Sequence, residues 1–273
     1  MKFNNIIIII LFILSASLFS CTDKNEDIFA TKSDTTIIDP TNTNNPYDSV
    51  GINHNNYLDL VFTEIFNKYG NPNELEVDLI KKETESIILE EGLCSSEFLE
   101  ITSDYIDVSR IIDEDDVFFE NLMDSELSAD TKLYIQQLLS QYDISYPELD
   151  SFIRNKEDLI INDGSIQEEE KVILLSFTSV FRHSSFYWKE IEYTKKAAPK
   201  WFRITAADAK GAVAGAATGA TVGALTTGGT PVGATTGAII GGTFYAIAAS
   251  VEKAASLKSA PDEPKKPEKP EEQ

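Results

Sequence analysis

Between Gly211 and Gly242 the chain reads GAVAGAATGATVGALTTGGTPVGATTGAIIGG, a stretch without a single charge. Gly211, Gly215, Gly219 and Gly223 fall four residues apart, and so do Gly229, Gly233, Gly237 and Gly241. A four-residue step keeps positions near one face of an α-helix. Glycine is about 1 kcal/mol worse than alanine inside a helix in water, so four in one helix need an offset. Close approach of a second backbone supplies it, through dispersion and weak Cα–H···O contacts that no side chain blocks. Thr226-Thr227-Gly228-Gly229-Thr230-Pro231 lies between the two series and reads as a turn, with Pro231 suited to the first turn of the next helix. The spacing predicts a tight helical hairpin over 201–252, glycine face to glycine face.

Upstream, the periodicity is helical. Leu58, Val61, Phe62, Ile65 and Phe66 recur at three- and four-residue steps, and Gly70-Asn71-Pro72 stops that run. A second helix is predicted through Ile80 and Ile87-Ile88-Leu89 to Gly92, and a third after Ser95-Ser96, which suit a cap. Leu133, Ile135, Leu138 and Leu139 form one stripe after Ser128, and Ser145-Tyr146-Pro147 opens another helix. Ile166 to Lys196 is the longest candidate, apolar on several sides and therefore central, and Pro199 ends it. Short helices are marginal alone and gain stability by packing. The expectation is an all-α fold: a helical bundle over 47–200, followed by the hairpin.

The N-terminus carries Lys2, an unbroken apolar run from Ile6 to Leu14, and then Ser15-Ala16-Ser17-Leu18-Phe19-Ser20-Cys21. Charge, apolar core and small residue before the cut make residues 1–20 a signal peptide, too short for a membrane span of about 20 apolar residues. Leu18-Phe19-Ser20-Cys21 resembles the lipobox of bacterial lipoproteins. That resemblance implies cleavage before Cys21 and its acylation with palmitate-type chains, and two such anchors hold a protein at a bilayer where one is marginal. Asp23, Glu26 and Asp27 follow at once, similar to the acidic export signal of surface lipoproteins in Bacteroidetes bacteria. Localisation at the outer membrane is implied, on the cell surface or the periplasmic side. Residues 21–46, rich in Thr, Asn and Asp, read as a flexible tether. Residues 253–273, with Pro261, Pro264, Pro267 and Pro270 among charges of both signs, read as a disordered tail.

The Gly-x3-Gly series resembles the glycine-zipper regions of bacterial envelope proteins, some of them surface lipoproteins and some membrane-inserting. The chain as a whole resembles lipoproteins of Bacteroidetes bacteria. Three uses of the hairpin stay open on sequence alone: spanning a membrane, packing on the Phe186–Tyr193 helix of its own domain, or self-association through the ladders. Its first leg, Gly211 to Thr227, is about 25 Å long at about 1.5 Å per residue, against a hydrocarbon core of about 30 Å. Trp188, Trp201 and Phe202 are candidates for an interfacial aromatic belt, with core packing as the alternative. The expected partners are the lipid bilayer, through acylated Cys21, and a second copy or another envelope protein, through the ladders. The net charge of −22 makes nucleic acid a poor partner. The expected function is a cell-envelope lipoprotein whose hairpin mediates membrane association or self-association. The alternative is a structural or protein-interaction domain with the hairpin packed on its own core.

No reaction centre is legible, and the expectation is a protein that is not an enzyme and holds no metal or cofactor. The two histidines, His54 and His183, lack metal-site spacing. His183 beside Ser184-Ser185 is no nucleophile–base pair, because adjacent helical residues do not face each other; a satisfied, partly buried histidine is expected. His54 is expected to cap or pack before the first strong helix. The acidic runs Asp113–Asp116 and Glu168–Glu170 lack the calcium-loop pattern and read as solvated helix ends. Cys94 reads as a small buried apolar residue, with Glu90, Glu91 and Glu97 raising its pKa.

Overall fold

The computed structural model describes residues 39–70, 76–103, 106, 108, 115–141, 145–193 and 201–259. The signal peptide, Cys21, tether residues 21–38 and tail residues 260–273 lie outside them. Among the described residues there are nine α-helices and no strand. They are α1 (Asp48–Tyr69), α2 (Val77–Glu90), α3 (Ser96–Ser103), α4 (Asp115–Asp124) and α5 (Ala129–Leu139), followed by α6 (Tyr146–Asn162), α7 (Glu168–Tyr193), α8 (Trp201–Thr226) and α9 (Pro231–Ser259).

Local chemistry sets most of the boundaries. Ser95 Oγ accepts the Phe98 N–H at 3.1 Å and opens α3. Ser128 Oγ accepts the Thr131 N–H and opens α5. The Ser145 N–H donates to Glu148 at 3.0 Å at the start of α6, where Pro147 lacks a donor that would be unpaired anyway. Between α8 and α9 the chain reverses at Gly228 and Gly229, with φ of +73° and +82°. That left-handed backbone is open to glycine at little cost. The Gly229 N–H then reaches Ala224 O at 2.7 Å, and Thr230 Oγ1 caps α9 by accepting the Gly233 N–H at 3.2 Å.

α7 is the axis of the bundle. From Val172 to Ser185 every residue is buried. α1 runs parallel to it: Gly51 donates to Ser179, Asn55 to the His183 carbonyl, and Tyr187 to Asp59, with both chains advancing by four. α8 and α9 pack on α7 as well as on each other, α9 reaches α1 and α2, and α6 and α5 cover α7 from outside. Phe177 and Phe181 stack in this centre, Phe202 meets Phe181 edge-on, and Trp188 meets Phe62 edge-on at 5.9 Å.

Three sequence expectations change here. Residues 39–46, read as tether, are docked: Asn42 and Asn45 are 8% and 3% exposed and bind α6 and α7 through their side chains. Leu133 is 51% exposed, and Thr131, Ile135, Leu138 and Leu139 make the buried stripe of α5 instead. α9 continues to Ser259, past the predicted hairpin end at 252, because Ala254, Ala255 and Leu257 still find the core.

α8 and α9 are antiparallel and very close. A Cβ built on Gly215, Gly219 or Gly223 would lie 2.7, 2.8 or 2.9 Å from the carbonyl carbon of Gly241, Gly237 or Gly233. Real Cβ atoms essentially never come within 3.0 Å of such an atom. A backbone obstacle cannot rotate away, so any side chain there drives the helices apart. Gly242, one step off this face, would meet its nearest neighbours at 3.4 Å, which is close to ordinary contact. Gly219→Leu is therefore expected to destabilise the fold by about 3 kcal/mol or more, as an overpacked site with no room to relax. Gly242→Ala is expected to be neutral or to stabilise by up to about 1 kcal/mol through helix propensity. Denaturant melts of the two variants check both, and equal effects would remove the close approach as the cause.

Candidate functional site

The side chains that carry chemistry gather under the hairpin, in two polar nodes sunk into the apolar core. Both are built on α7, whose one buried surface after another leaves its polar residues nowhere to go but inward.

The first node joins α1, α6, α7 and the docked residues before α1. Arg182 is 0% exposed, and its Nη2 donates to Asp48 Oδ1 and to Glu157 Oε1, the latter at 3.0 Å. His183 Nε2 lies 3.1 Å from Asp48 Oδ1. Asn42 Nδ2 and Asn45 Nδ2 donate to the two oxygens of Glu157 at 2.6 and 2.7 Å. Burial alone would push the Asp48 carboxyl up, but the hydrogen bonds from His183 and Arg182 and the guanidinium charge outweigh it and hold it at about 2. One cation thus neutralises part of two carboxylates, and the amides satisfy what remains of Glu157.

The second node joins α1, α7, α8 and α9. Asp208 and His54 are both fully buried, with His54 Nε2 3.8 Å from Asp208 Oδ2. Ser184 Oγ and Trp188 Nε1 donate to the same Asp208 oxygen, the indole at 3.1 Å. Trp188 Nε1 also lies 3.2 Å from Ser250 Oγ on α9. Burial pushes the Asp208 carboxyl up to about 7, against the pull of its hydrogen bonds from Ser184, Ser250 and Trp188. Burial likewise pushes His54 down to about 4, helped by the nearby His183. Both shifts favour the neutral forms, as expected where no water reaches a charge.

The arrangement pairs buried charged, hydroxyl and imidazole groups with one another. Ser184 donates to a carboxylate and not to a histidine, and the serine, the carboxyl and the imidazole are all buried. His183, expected to be satisfied and partly buried, is paired with Asp48 and 3% exposed. His54, placed before the first helix by sequence, sits inside α1 and faces the core. Gly51 shows why that segment is helical: a Cβ there would meet the Ser179 carbonyl oxygen at 2.5 Å, so its bareness serves packing and does not break the helix. Among the described residues no group of three or more His, Cys, Asp and Glu side chains is placed to hold a metal. Cys94 is buried, and that burial alone, not its glutamate neighbours, pushes its thiol up to about 11.

The other sequence candidates fall as follows. Cys21 lies outside the described residues, as does the side chain of Trp201. Trp188 and Phe202 are each 7% exposed and packed in the core, so these two do not form an interfacial belt. Gly215, Gly219 and Gly223 face Gly241, Gly237 and Gly233, while Gly211 faces Tyr245 and Ala249. Gly229 is in the turn, where a Cβ would meet nothing within 4 Å. The four-residue count from Gly229 is real in sequence, but the α-helix starts after it.

Two outcomes follow for stability. Arg182→Met leaves Asp48 and Glu157 as buried like charges, and a loss of about 3–5 kcal/mol is expected in denaturant melts. The Asp208 carboxyl is raised in the fold from 3.8 to about 7, so its contribution is full below about pH 4 and is lost as pH rises through about 7. His54, lowered from 6.5 to about 4, works the other way, its contribution being lost as pH falls between those values. Asp208→Asn is expected to remove the loss on the alkaline side, so that its stability relative to the parent improves from pH 4 to pH 8 by up to about 4 kcal/mol. A stability difference that stays constant over that range would show that Asp208 does not titrate in the fold.

No family model matches this sequence, and no significant match emerges among curated proteins or solved structures, so the site stands on its own geometry.

Proposed function

We propose that this chain is a cell-envelope lipoprotein in which acylated Cys21 is the membrane anchor and residues 39–259 form a helical protein-interaction domain. In this reading the glycine-zipper hairpin is the domain's own spine and not a membrane insert. The observation that carries it is the occupancy of the hairpin's faces. The glycine rows are filled by each other's backbones, and the hairpin packs besides on α7, α1, α2 and α3. Buried polar side chains tie the hairpin down: Asp208 to Ser184 and Trp188, and Tyr245 to Thr102 at 2.9 Å. With the ladders occupied in this way, a second copy is left no glycine face to dock on.

The rival reading, a hairpin that enters lipid, draws on one feature. The segment Pro231–Leu257 is long and apolar enough to cross a membrane, with a mean hydropathy of 1.4. Yet 67% of that window is buried inside the bundle, as in the core helix of a globular domain.

Two measurements test the proposal. The chain from residue 22, without lipid, is expected to stay in the supernatant with neutral or anionic vesicles. Co-sedimentation with the hairpin protected from protease would sink the interaction-domain reading. In cells, Cys21→Ala is expected to abolish fatty-acid labelling and to shift the protein out of the membrane fraction; unchanged labelling would remove the anchor.

A further inference from the structure

The hairpin's glycine row faces α9, but α8 has a second small-residue face. Ala214, Ala217, Thr218 and Thr221 line it, and Leu225 ends it, 75% exposed beside the turn. Two adjoining hollows of ≈ 520 and ≈ 240 Å³ run along this face and share Ser125, Leu127, Ala217 and Thr218. Together they make one groove. The rest of its lining comes mainly from α7 and the link between α4 and α5, with Ile173 and Leu127 as apolar members and Glu126, Glu169 and Glu170 as acidic ones. Glu170 is committed to capping α5, where it accepts from Ser128 and Thr131. Glu126 and Glu169 are exposed, and among the described residues no Lys or Arg lines either hollow.

We propose that this groove is a docking site for a basic amphipathic helix of another protein, a surface that rests on the interaction-domain reading above and gives it a partner class. Small side chains on α8 let an incoming helix approach closely, and the apolar floor matches a stripe at i, i+3, i+4 and i+7. Lysines or arginines along one edge of that helix meet Glu126 and Glu169. The net charge of −22 steers such a partner in from a distance. The same charge argues against a second copy as occupant. It would bring its own Glu126 and Glu169 against these, and like charges facing each other across an interface repel.

The test uses the chain from residue 22, which contains the whole compact unit that begins at Asp39. The probes are a synthetic helix with an Ala/Leu face flanked by lysines, a scrambled peptide of the same composition, and a version with glutamate for lysine. Binding is read by fluorescence anisotropy. The lysine helix is expected to bind at least about tenfold more tightly than either control, a gap of about 1.4 kcal/mol. Ala217→Phe fills the floor and is expected to weaken binding about tenfold. Thr221→Phe, at an exposed position on the same floor, carries the test if the first variant does not fold. Glu126→Gln with Glu169→Gln is expected to weaken binding about threefold and to flatten its salt dependence. Equal binding of the scrambled peptide, or indifference to both floor variants, would overturn the groove. So would a dimer of the chain that Leu225→Glu dissolves, since the occupant would then be a second copy. Vesicle insertion of the hairpin would refute the interaction-domain reading, whereas lost peptide selectivity with the hairpin still in the bundle refutes only the groove.

Discussion

Contact between the backbones of α8 and α9 is the constraint from which the rest of the bundle follows. At Gly215, Gly219 and Gly223 the partner's carbonyl stands where a Cβ would be. Helices normally pack with 8–10 Å between axes, set by the side chains at the contact; here glycines remove that spacer. The hairpin is then narrow enough that a single neighbouring helix, α7, touches both legs at once. A wider hairpin would not leave Ala212, Ala216, Ala238 and Ala246 all fully buried beside α7, as they are. The cost of glycine in a helix, about 1 kcal/mol each, is thus offset outside the hairpin as well as within it.

Burying α7 on every side has an electrostatic consequence. Its segment from Val172 to Ser185 contains Arg182, His183 and five hydroxyl residues, all inside. Each needs a partner there, because an unpaired buried polar group costs about 1–3 kcal/mol. Thr178 and Ser185 donate to carbonyls of α7 itself, at Leu175 and Phe181, while Arg182, His183, Ser179 and Ser184 find partners on other helices: Asp48 and Glu157 in the first node, Asp208 in the second. A buried ion network is weak support for net stability, since desolvation consumes much of the Coulomb gain. It is strong on discrimination, because a slip of α7 by one residue would strand Arg182 and Asp208 together. Apolar packing in this core, largely Ala and Gly on the hairpin side, has few large shapes with which to fix register, and the polar nodes supply it.

That division also explains what the sequence disclosed. Helix α7, the stops at Gly70 and Gly92, the cap at Ser95 and the turn before Pro231 were legible because each is written in local residue types. The close approach of α8 and α9 was legible because glycine spacing has few other uses. The polar nodes were not. Periodicity assigns polar residues to solvent, so Asn45 read as the end of a tether and His54 as a residue capping or packing ahead of the first strong helix, whereas both are buried in the core. Their partners lie more than 100 residues away in sequence, and no local pattern links Asn45 to Glu157 or Asp48 to Arg182. Trp188 and Phe202 failed for a related reason: aromatic residues near an uncharged stretch suit a lipid interface and a protein core equally, and only the neighbours Phe62 and Phe181 decide.

The same accounting bears on whether α9, apolar enough to cross a membrane, has reason to do so. Withdrawing the hairpin from the bundle would strip Val172, Ile173, Val180 and Phe181 of α7 of cover, each now buried. Fully exposing such a side chain costs about 1.5–3 kcal/mol. Asp208 would lose Ser184 and Trp188, and would travel with the hairpin toward lipid or water as a carboxyl built for neither. Glu252 and Lys253, less than a tenth exposed within α9, would have to leave the protein interior too. Lipid offers the Gly and Ala faces little in return, for the glycine rows are already closed on each other and alanine gains less from hydrocarbon than leucine does. An apolar helix of this kind also suits the middle of a bundle, where 67% of its most apolar window is already buried.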